Sequence, residues 1–183
     1  MSEEMLIRHC SPTLAGLKTA NLFGCHYATR EEMCEDIRSL NRLLSPKGLR
    51  VIPLQFQNQR ALIYIYRPAL LEQDLASCES AALLKQEGYQ TESCNRHLAN
   101  LRRRLHEQND FPHEIGLFLG YPPEDVRGFM ENEAENCKAV GYWKVYGNVT
   151  KALDTFARFR QCTETYLKEL ARGASLERLA VAI

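Results

Sequence analysis

Two pairs of adjacent residues carry the side chains used in nucleophilic or acid–base chemistry. The first is His9-Cys10, which precedes Ser11-Pro12, and serine followed by proline predicts a helix start. A cysteine at the positive end of a helix dipole, beside an imidazole, would have a lowered pKa and a larger thiolate fraction. The pattern therefore nominates Cys10 as a nucleophile or ligand, with His9 beside it.

The second pair, His113-Glu114, lies in the stretch from Phe111 to Val126, which also holds glycines, prolines and a dense apolar run. A nucleophilic cysteine needs a base within reach, so we predict His113 as acid or base and Glu114 as its orienting group. The hypothesis requires the fold to bring Cys10 and His113 together. The alternative is that Cys10 is a small buried apolar residue.

A metal site can be built from these residues only in part. His9-Cys10 and Cys25-His26 supply zinc-ligand types, but about eleven helical residues would hold the two pairs ~17 Å apart. One zinc ion cannot bridge that distance. His9 or Cys10 could instead join His113 and Glu114 around iron or zinc, and no spacing tests this. The metal and any cofactor stay unassigned.

The stretch after His113 allows two structures. Ile115 to Leu119 could be a buried strand, or residues 113–131 could form a helix-turn-helix whose second helix is Pro123 to Glu131. That second helix holds more acidic than basic residues, and phosphates repel it. The whole chain has 23 basic and 23 acidic residues, so no overall field draws it to nucleic acid. The sequence therefore disfavours nucleic acid as a partner.

Two further groups are candidates for ligand binding. Arg102 and Arg103 belong to a basic helix face that could hold an anion, although a solvated face is the plainer interpretation. The segment Gly141 to Tyr146 predicts a strand whose alternation places Tyr142 and Lys144 on one face, opposite the only tryptophan. Tyr142 and Lys144 could orient a carbonyl or phosphate, whereas an edge strand protected by a lysine is the alternative.

The periodicity of apolar residues predicts the elements that position these groups. The predicted strands are Met5 to Arg8, Leu49 to Phe56, Ala61 to Tyr66 and Val140 to Tyr146. The predicted helices are Pro12 to Phe23, Arg30 to Leu44 capped by Thr29, one or two over Leu70 to Gln86, Ser93 to Gln108, about Val149 to Arg172 capped by Asn148, and a short one after Ser175. Pro53 marks its strand as an edge, and the unbroken apolar run from Ala61 marks the next strand as buried on both faces. We expect an α+β fold: a helix-rich single globular domain over residues 1–183, around a small mixed or antiparallel sheet.

The bulk properties indicate a cytoplasmic protein. Seven scattered cysteines without a CxxC pair favour reduced thiols over a disulfide framework. The longest apolar run is too short to cross a bilayer, so we expect no membrane association. There is no GxGxxG, P-loop, GxSxG or EF-hand motif, which disfavours the standard dinucleotide, NTP-hydrolysing and serine-hydrolase classes.

Three stretches carry a resemblance to a known family: His9 to Phe23, Phe111 to Val126 and Gly141 to Asn148. Together they resemble the uncharacterised bacterial family DUF3793, a domain of unknown function found mainly in anaerobic bacteria, over nearly the whole chain. The resemblance implies a single-domain cytosolic protein. It implies no activity, cofactor or catalytic residue.

Two functional hypotheses follow. The first is a small-ligand-binding protein or small enzyme with a Cys/His site of Cys10, His113 and Glu114. The second is a non-catalytic interaction or regulatory module that meets a protein partner through residues 111–131. The sequence leaves open whether the protein is an enzyme, what it binds and its oligomeric state.

Overall fold

The computed structural model describes residues 1–90, 93–107 and 111–183. The helices are α1 (Glu3–Leu14), α2 (Arg30–Leu44), α3 (Pro68–Leu75), α4 (Cys78–Gln86), α5 (Cys94–Glu107), α6 (Ile115–Phe118), α7 (Pro123–Glu131), α8 (Val149–Ala171) and α9 (Leu176–Leu179). The strands are β1 (Ala20–His26), β2 (Arg50–Gln57), β3 (Arg60–Tyr66), β4 (Ala139–Val140) and β5 (Lys144–Val145). The predicted α+β, helix-rich class is confirmed, and both sheets are antiparallel. No helix within the described ranges is long and apolar enough to span a membrane.

The chain divides into two compact units. We call Met1–Ala69 together with Phe159–Ile183 the sheet unit, and Leu70–Arg158 the middle unit. The division falls inside α3 and α8. Whether the two units act as the predicted single domain stays a prediction.

The three-stranded sheet of the sheet unit has the order β1-β3-β2. β3 lies between two neighbours, and its consecutive residues from Ile63 to Tyr66 are all buried, so both faces of the strand are covered and its apolar residues do not alternate with polar ones. β2 is an edge strand, as Pro53 predicted, and its register with β3 shifts between Pro53 and Gln55. The two predicted strands are therefore confirmed, and they pair as an antiparallel hairpin.

The start of the chain differs from the prediction. The predicted strand at Met5 to Arg8 and helix from Pro12 to Phe23 are wrong, because helix α1 comes first and strand β1 follows. The hydroxyl of Ser2 caps α1 by accepting a hydrogen bond from the Met5 N–H at 3.2 Å. Leu6, Cys10 and Leu14 recur at helical spacing and are fully buried. Pro12 lies in the last turn of this helix instead of its first, where it removes one intrahelical hydrogen bond close to the helix end.

Helix α2 has the predicted bounds and cap. The Thr29 hydroxyl accepts from the Glu32 N–H at 3.2 Å, and Met33 and Ile37 are buried in the core of the sheet unit. That core also includes Leu176 and Ala180 from the last segment of the chain.

A fully buried arginine, Arg67, connects three separate segments of the sheet unit through hydrogen bonds. Its Nε donates to the Thr13 carbonyl at 2.7 Å, and its Nη2 donates to the carbonyls of Leu14 at 2.8 Å and Val181 at 2.7 Å. Its Nη1 donates to the Lys47 carbonyl at 3.1 Å. One side chain thus satisfies carbonyls at the end of α1, after α2 and in the terminal segment.

The middle unit corrects two sequence expectations. The segment predicted as one strand, Val140 to Tyr146, is a tight hairpin in which β4 pairs with β5 around residues 141–143. A Cβ added to Gly141 would lie 2.2 Å from the Phe156 ring, so the chain turns where only glycine fits. The expected alternation of Tyr142 and Lys144 on one strand face is therefore wrong.

The stretch after His113 is helical, so the alternative of a strand from Ile115 to Leu119 is wrong. α6 is a single turn, the chain changes direction at Gly120, which has a φ of 72°, and α7 follows. The predicted helices over residues 70–86 are the two helices α3 and α4, and α5 buries its leucine stripe as expected. The predicted end of that helix, Gln108, lies outside the described residues. At α8, Asn148 accepts from the Lys151 N–H at 3.0 Å, which confirms the predicted cap.

Candidate functional site

The middle unit contains an apolar cavity of about 200 Å³ formed by α6, α7 and the β4–β5 hairpin with neighbouring residues. Its lining residues are Phe111, His113, Ile115, Gly116, Tyr121, Asp125, Val126, Phe129, Trp143 and Lys144. Most of these side chains are aromatic or aliphatic. Besides the Tyr121 phenol, the ionisable groups are those of His113, Asp125 and Lys144. A small concave site of this composition is typical of ligand-binding pockets.

Asp125, which is 3% exposed, fixes the position of the hairpin against α7. Its Oδ2 accepts from the Trp143 indole N–H at 2.7 Å. Its Oδ1 accepts from the backbone N–H groups of Tyr146 and Gly147, both at 2.7 Å. The carboxylate is therefore stabilised by three donors, and it orients the indole that forms part of the cavity wall.

The aromatic wall is held by ring contacts. The Tyr121 and Trp143 ring centroids lie 5.0 Å apart, and Trp143 packs edge-on against Phe156 at 4.5 Å. The Tyr121 hydroxyl donates to the Tyr142 carbonyl at 3.1 Å, and burial raises the pKa of Tyr121 to about 12. Tyr121 is thus a neutral phenol at physiological pH, and it ties the turn of the hairpin to the end of α6.

His113 and Lys144 provide the basic groups of the cavity. The exposed His113 ring packs edge-on against Phe129 at 5.1 Å between centroids. The Lys144 Nζ lies 5.9 Å from the Phe129 centroid and donates to the Ala134 carbonyl at 2.6 Å. Within the described part of the chain, Lys144 forms no ion pair with a carboxylate. An ammonium group has three donors, so Lys144 retains hydrogen-bonding capacity towards the cavity.

Glu114, predicted to orient His113, has another role. Its side chain is 1% exposed, its Oε1 accepts from the Tyr89 hydroxyl at 2.9 Å, and the Arg104 Nε lies 2.7 Å from the same oxygen. Burial, with the nearby Glu114 charge, raises the pKa of Tyr89 and keeps it a donor. Glu114 does not line the cavity, and these contacts make it part of a buried ion-pair cluster.

The arginines proposed for ligand binding lie on α5 and do not line this cavity. Arg102 is exposed. Arg103 pairs with Glu107 at 2.7 Å and donates to the Asn100 side chain at 2.7 Å. Tyr142 is not among the lining residues either: it is 36% exposed, and its carbonyl accepts from the hydroxyl of a lining residue, Tyr121.

His9 and Cys10 belong to the sheet unit. Cys10 is fully buried in the body of α1, so the premise that it lies at a helix N-terminus is wrong. Burial raises the pKa of the Cys10 thiol, which is the opposite of what a nucleophile requires. His9 is exposed and stacks on Phe23 at 5.4 Å between centroids. Of the predicted site residues, the structure brings His113 and Lys144 into one cavity.

The burial of Cys10 predicts that its thiol reacts slowly with alkylating reagents. At pH 7.5 we expect iodoacetamide to modify the exposed Cys78 at least tenfold faster than Cys10, because only thiolate in contact with solvent reacts. Mass spectrometry of tryptic peptides over time measures both rates, and labelling in urea provides the control. Rapid modification of Cys10 in the folded protein would restore the nucleophile hypothesis.

A second prediction concerns pH and the buried Lys18. Burial lowers the pKa of Lys18 to about 7, whereas the unfolded side chain keeps its proton up to about 10.5. Above pH 7 the unfolded chain therefore binds more protons, and stability rises with pH by on the order of 1 kcal/mol per unit. Burial raises the pKa of Cys10 above its usual 9.0, so the folded thiol keeps a proton that the unfolded thiol loses, and this opposes the rise above pH 9.

Urea unfolding curves between pH 6.5 and 10 test this prediction. We expect the free energy of unfolding to increase from pH 7 to 9 and then to level off. Lys18→Met should flatten the rise, while Lys151→Met, at an exposed position of α8, should leave it unchanged. A wild-type curve that falls from pH 7 to 9 contradicts the assignment to Lys18.

Sequence reasoning missed most of the cavity. In the sequence, Asp125 is one of the acidic residues of the second helix of the predicted helix-turn-helix. Its role in the cavity was not predictable, because its three donors come from residues about twenty positions later. Phe129 and Tyr121 gave no signal beyond apolar periodicity. A proline pair followed by an acidic first turn marked the start of α7, and this was the available hint that Asp125 lies at a helix N-terminus.

No group of three or more His, Cys, Asp or Glu side chains is placed to hold a metal ion among the residues that the structure describes. The model of the family DUF3793, described as "Protein of unknown function", matches residues 6–180, so the chain belongs to that family. No curated protein matches the chain, and no solved structure matches it.

Proposed function

We propose that this member of the DUF3793 family binds a small, largely apolar molecule in the cavity of its middle unit. The observation that supports the proposal is the composition of the cavity wall: aromatic and aliphatic groups surround about 200 Å³, with His113, Asp125, Lys144 and the Tyr121 phenol as its ionisable groups. Many apolar contacts with a few placed polar groups are what a binding site for a small molecule requires.

The positions of the polar groups favour binding over chemistry. Asp125 has its oxygens occupied by three N–H donors, and Glu114 is held by Tyr89 and Arg104. Neither carboxylate is presented to His113 as an orienting partner. An enzyme built on Cys10, His113 and Glu114 stays a prediction, and the labelling experiment above tests its first step.

The alternative of an interaction module acting through residues 111–131 receives less support. Phe118 is fully buried, and Phe129 contributes to the cavity wall. Burial thus withdraws Phe118 from a protein partner, whereas Phe129 is half-buried and Phe111 is 47% exposed, so the interaction module stays a prediction. We place the binding function in a bacterial cytoplasm, where all seven cysteines, free thiols here, would stay reduced.

The experiment uses the only tryptophan, Trp143, as an internal reporter. 1-Naphthylamine is a neutral dye of two fused rings whose emission shifts to shorter wavelength in apolar sites. We expect saturable one-to-one binding to the full chain, with excitation energy transfer from Trp143 to the dye. Phe129→Ala removes a wall of the cavity and should weaken binding by roughly tenfold or more, which corresponds to about 1.4 kcal/mol of lost apolar contact.

A matched control separates cavity binding from general hydrophobic adsorption. Leu153 is 48% exposed on α8, also in the middle unit, and it does not line the cavity. Leu153→Ala should leave the dissociation constant within twofold of the wild type. A signal that does not saturate, or equal binding by the Phe129→Ala variant, would refute the proposed function.

A further inference from the structure

We propose that the cavity takes a planar aromatic molecule carrying one carboxylate, an inference that rests on the proposed function and names its ligand class. The inference combines the charge of the cavity with the geometry of its walls. Each of these can be tested separately.

The charged groups of the cavity select an anion. Lys144 contributes an ammonium whose neighbours are a backbone carbonyl and the face of Phe129. His113 can donate an N–H in either protonation state. The third group, Asp125, is a carboxylate, but its Oδ1 accepts two N–H bonds and its Oδ2 accepts one. The oxygens of Asp125 are therefore engaged within the protein, and the Lys144 ammonium is the charged group of the cavity left with donors for a ligand.

The same arrangement disfavours a cationic ligand. An aromatic cage with a carboxylate would otherwise suit a quaternary ammonium group. Here Lys144 would repel such a ligand, and Asp125 has its oxygens engaged by the indole and backbone N–H groups. A single carboxylate on the ligand matches the imidazole of His113 and the ammonium of Lys144, which has no carboxylate partner among the residues that the structure describes.

The walls and volume select an aromatic body. Trp143, Tyr121 and Phe129 present ring surfaces, and ring pairs gain about 1 kcal/mol beyond the burial of area. A cavity of roughly 150 Å³ holds benzene, so about 200 Å³ suits one ring or two fused rings. A long aliphatic chain would exceed this length, and a sugar would leave its hydroxyl groups without partners against apolar walls.

Isothermal titration calorimetry of the full chain with three probes tests the inference. The probes are 2-naphthoate, its neutral amide 2-naphthamide and the saturated decalin-2-carboxylate. We expect naphthoate to bind at least tenfold more tightly than either of the others at pH 7 and low salt. Because the attraction is electrostatic, the naphthoate affinity should fall between 20 and 500 mM NaCl while that of the amide stays constant.

Lys144→Gln should reduce the preference for naphthoate over the amide to under threefold, with unchanged binding of the amide showing that the cavity is intact. Lys151→Gln is the matched control and should keep the full preference.

Equal binding of the acid and the amide by the wild type overturns the anionic assignment, and equal binding of the saturated acid overturns the aromatic one. Both results leave the proposed function standing if the neutral dye still binds in a Phe129-dependent manner; loss of dye binding refutes that function itself.

Discussion

Arg67→Met is expected to lower the free energy of unfolding by about 4 kcal/mol, one of the two largest effects of a single substitution that we predict. The methionine fills much of the space left by the arginine stem, so the loss reports mainly on hydrogen bonds. Four carbonyls, those of Thr13, Leu14, Lys47 and Val181, would lose the arginine as a donor inside a buried region, and two of the four keep a backbone N–H donor.

The size of the effect follows from the position of Arg67. It is 1% exposed, and burial lowers the pKa of its guanidinium. In the described part of the chain it forms no ion pair with a carboxylate, and four carbonyl oxygens accept its N–H groups. Two of these carbonyls, Thr13 and Leu14, lie at the negative end of the α1 dipole, and each also accepts a backbone N–H, from Gly16 at 3.1 Å and from Val181 at 3.0 Å. The carbonyls of Lys47 and Val181 have no such second donor among the described residues. Each buried carbonyl left unpaired costs about 1 to 3 kcal/mol, partly offset by the apolar methionine.

Urea denaturation followed by far-ultraviolet circular dichroism measures this prediction. Arg8→Met is the matched control in the same unit, because Arg8 is exposed and its ion pair with Glu4 lies on the helix surface. Its effect should stay below about 1 kcal/mol. Arg67→Lys should fall between the wild type and Arg67→Met, since one ammonium cannot reach all four carbonyls. A loss for Arg67→Met as small as that for Arg8→Met would show that the carbonyls find other donors.

Local sequence patterns predicted a helix or strand correctly wherever the capping residues and the apolar spacing indicated the same element. The α2 helix combined a Thr29 cap with apolar residues at helical spacing, and no competing signal lay within it. The first helix shows why this can fail. Ser2 and Ser11 are both plausible caps, and Ser11-Pro12 is the stronger local signal. The burial of Leu6, Cys10 and Leu14 on one stripe decided the outcome, and burial is a tertiary property.

The cavity was less predictable, because it depends on contacts distant in sequence. His113 and Lys144 drew attention by type, but the sequence paired His113 with Cys10 and Lys144 with Tyr142. The structure instead joins them through Phe129, which lies between them along the chain. The hairpin depends on a close approach at Gly141, and no local pattern shows that the ring it meets is Phe156. Residue types indicated the chemistry available, and the packing of α7 against the hairpin selected the residues that share a site.

Asp125→Ala is expected to destabilise the protein by about 3 kcal/mol and to abolish binding of the dye. The substitution leaves the indole N–H of Trp143 and the backbone N–H groups of Tyr146 and Gly147 without their acceptor. Hydrogen bonds to a charged acceptor contribute about 1.5 to 3 kcal/mol each, and water replaces part of this in the variant. The hairpin should then detach from α7, and the indole wall of the cavity moves with it.

Asp125→Asn makes the prediction sharper. Its amide oxygen can still accept the two backbone N–H bonds, while its NH2 group would meet the indole N–H, donor against donor. We therefore expect roughly half the destabilisation of Asp125→Ala, with a change in Trp143 fluorescence that is specific to the lost indole bond. Asp154→Ala, at an exposed acidic position on α8, is the matched control and should change neither quantity. A fluorescence shift for Asp125→Asn as small as that for Asp154→Ala would show that the carboxylate does not position the indole. The ring contacts of Trp143 with Tyr121 and Phe156 would then hold the cavity wall instead.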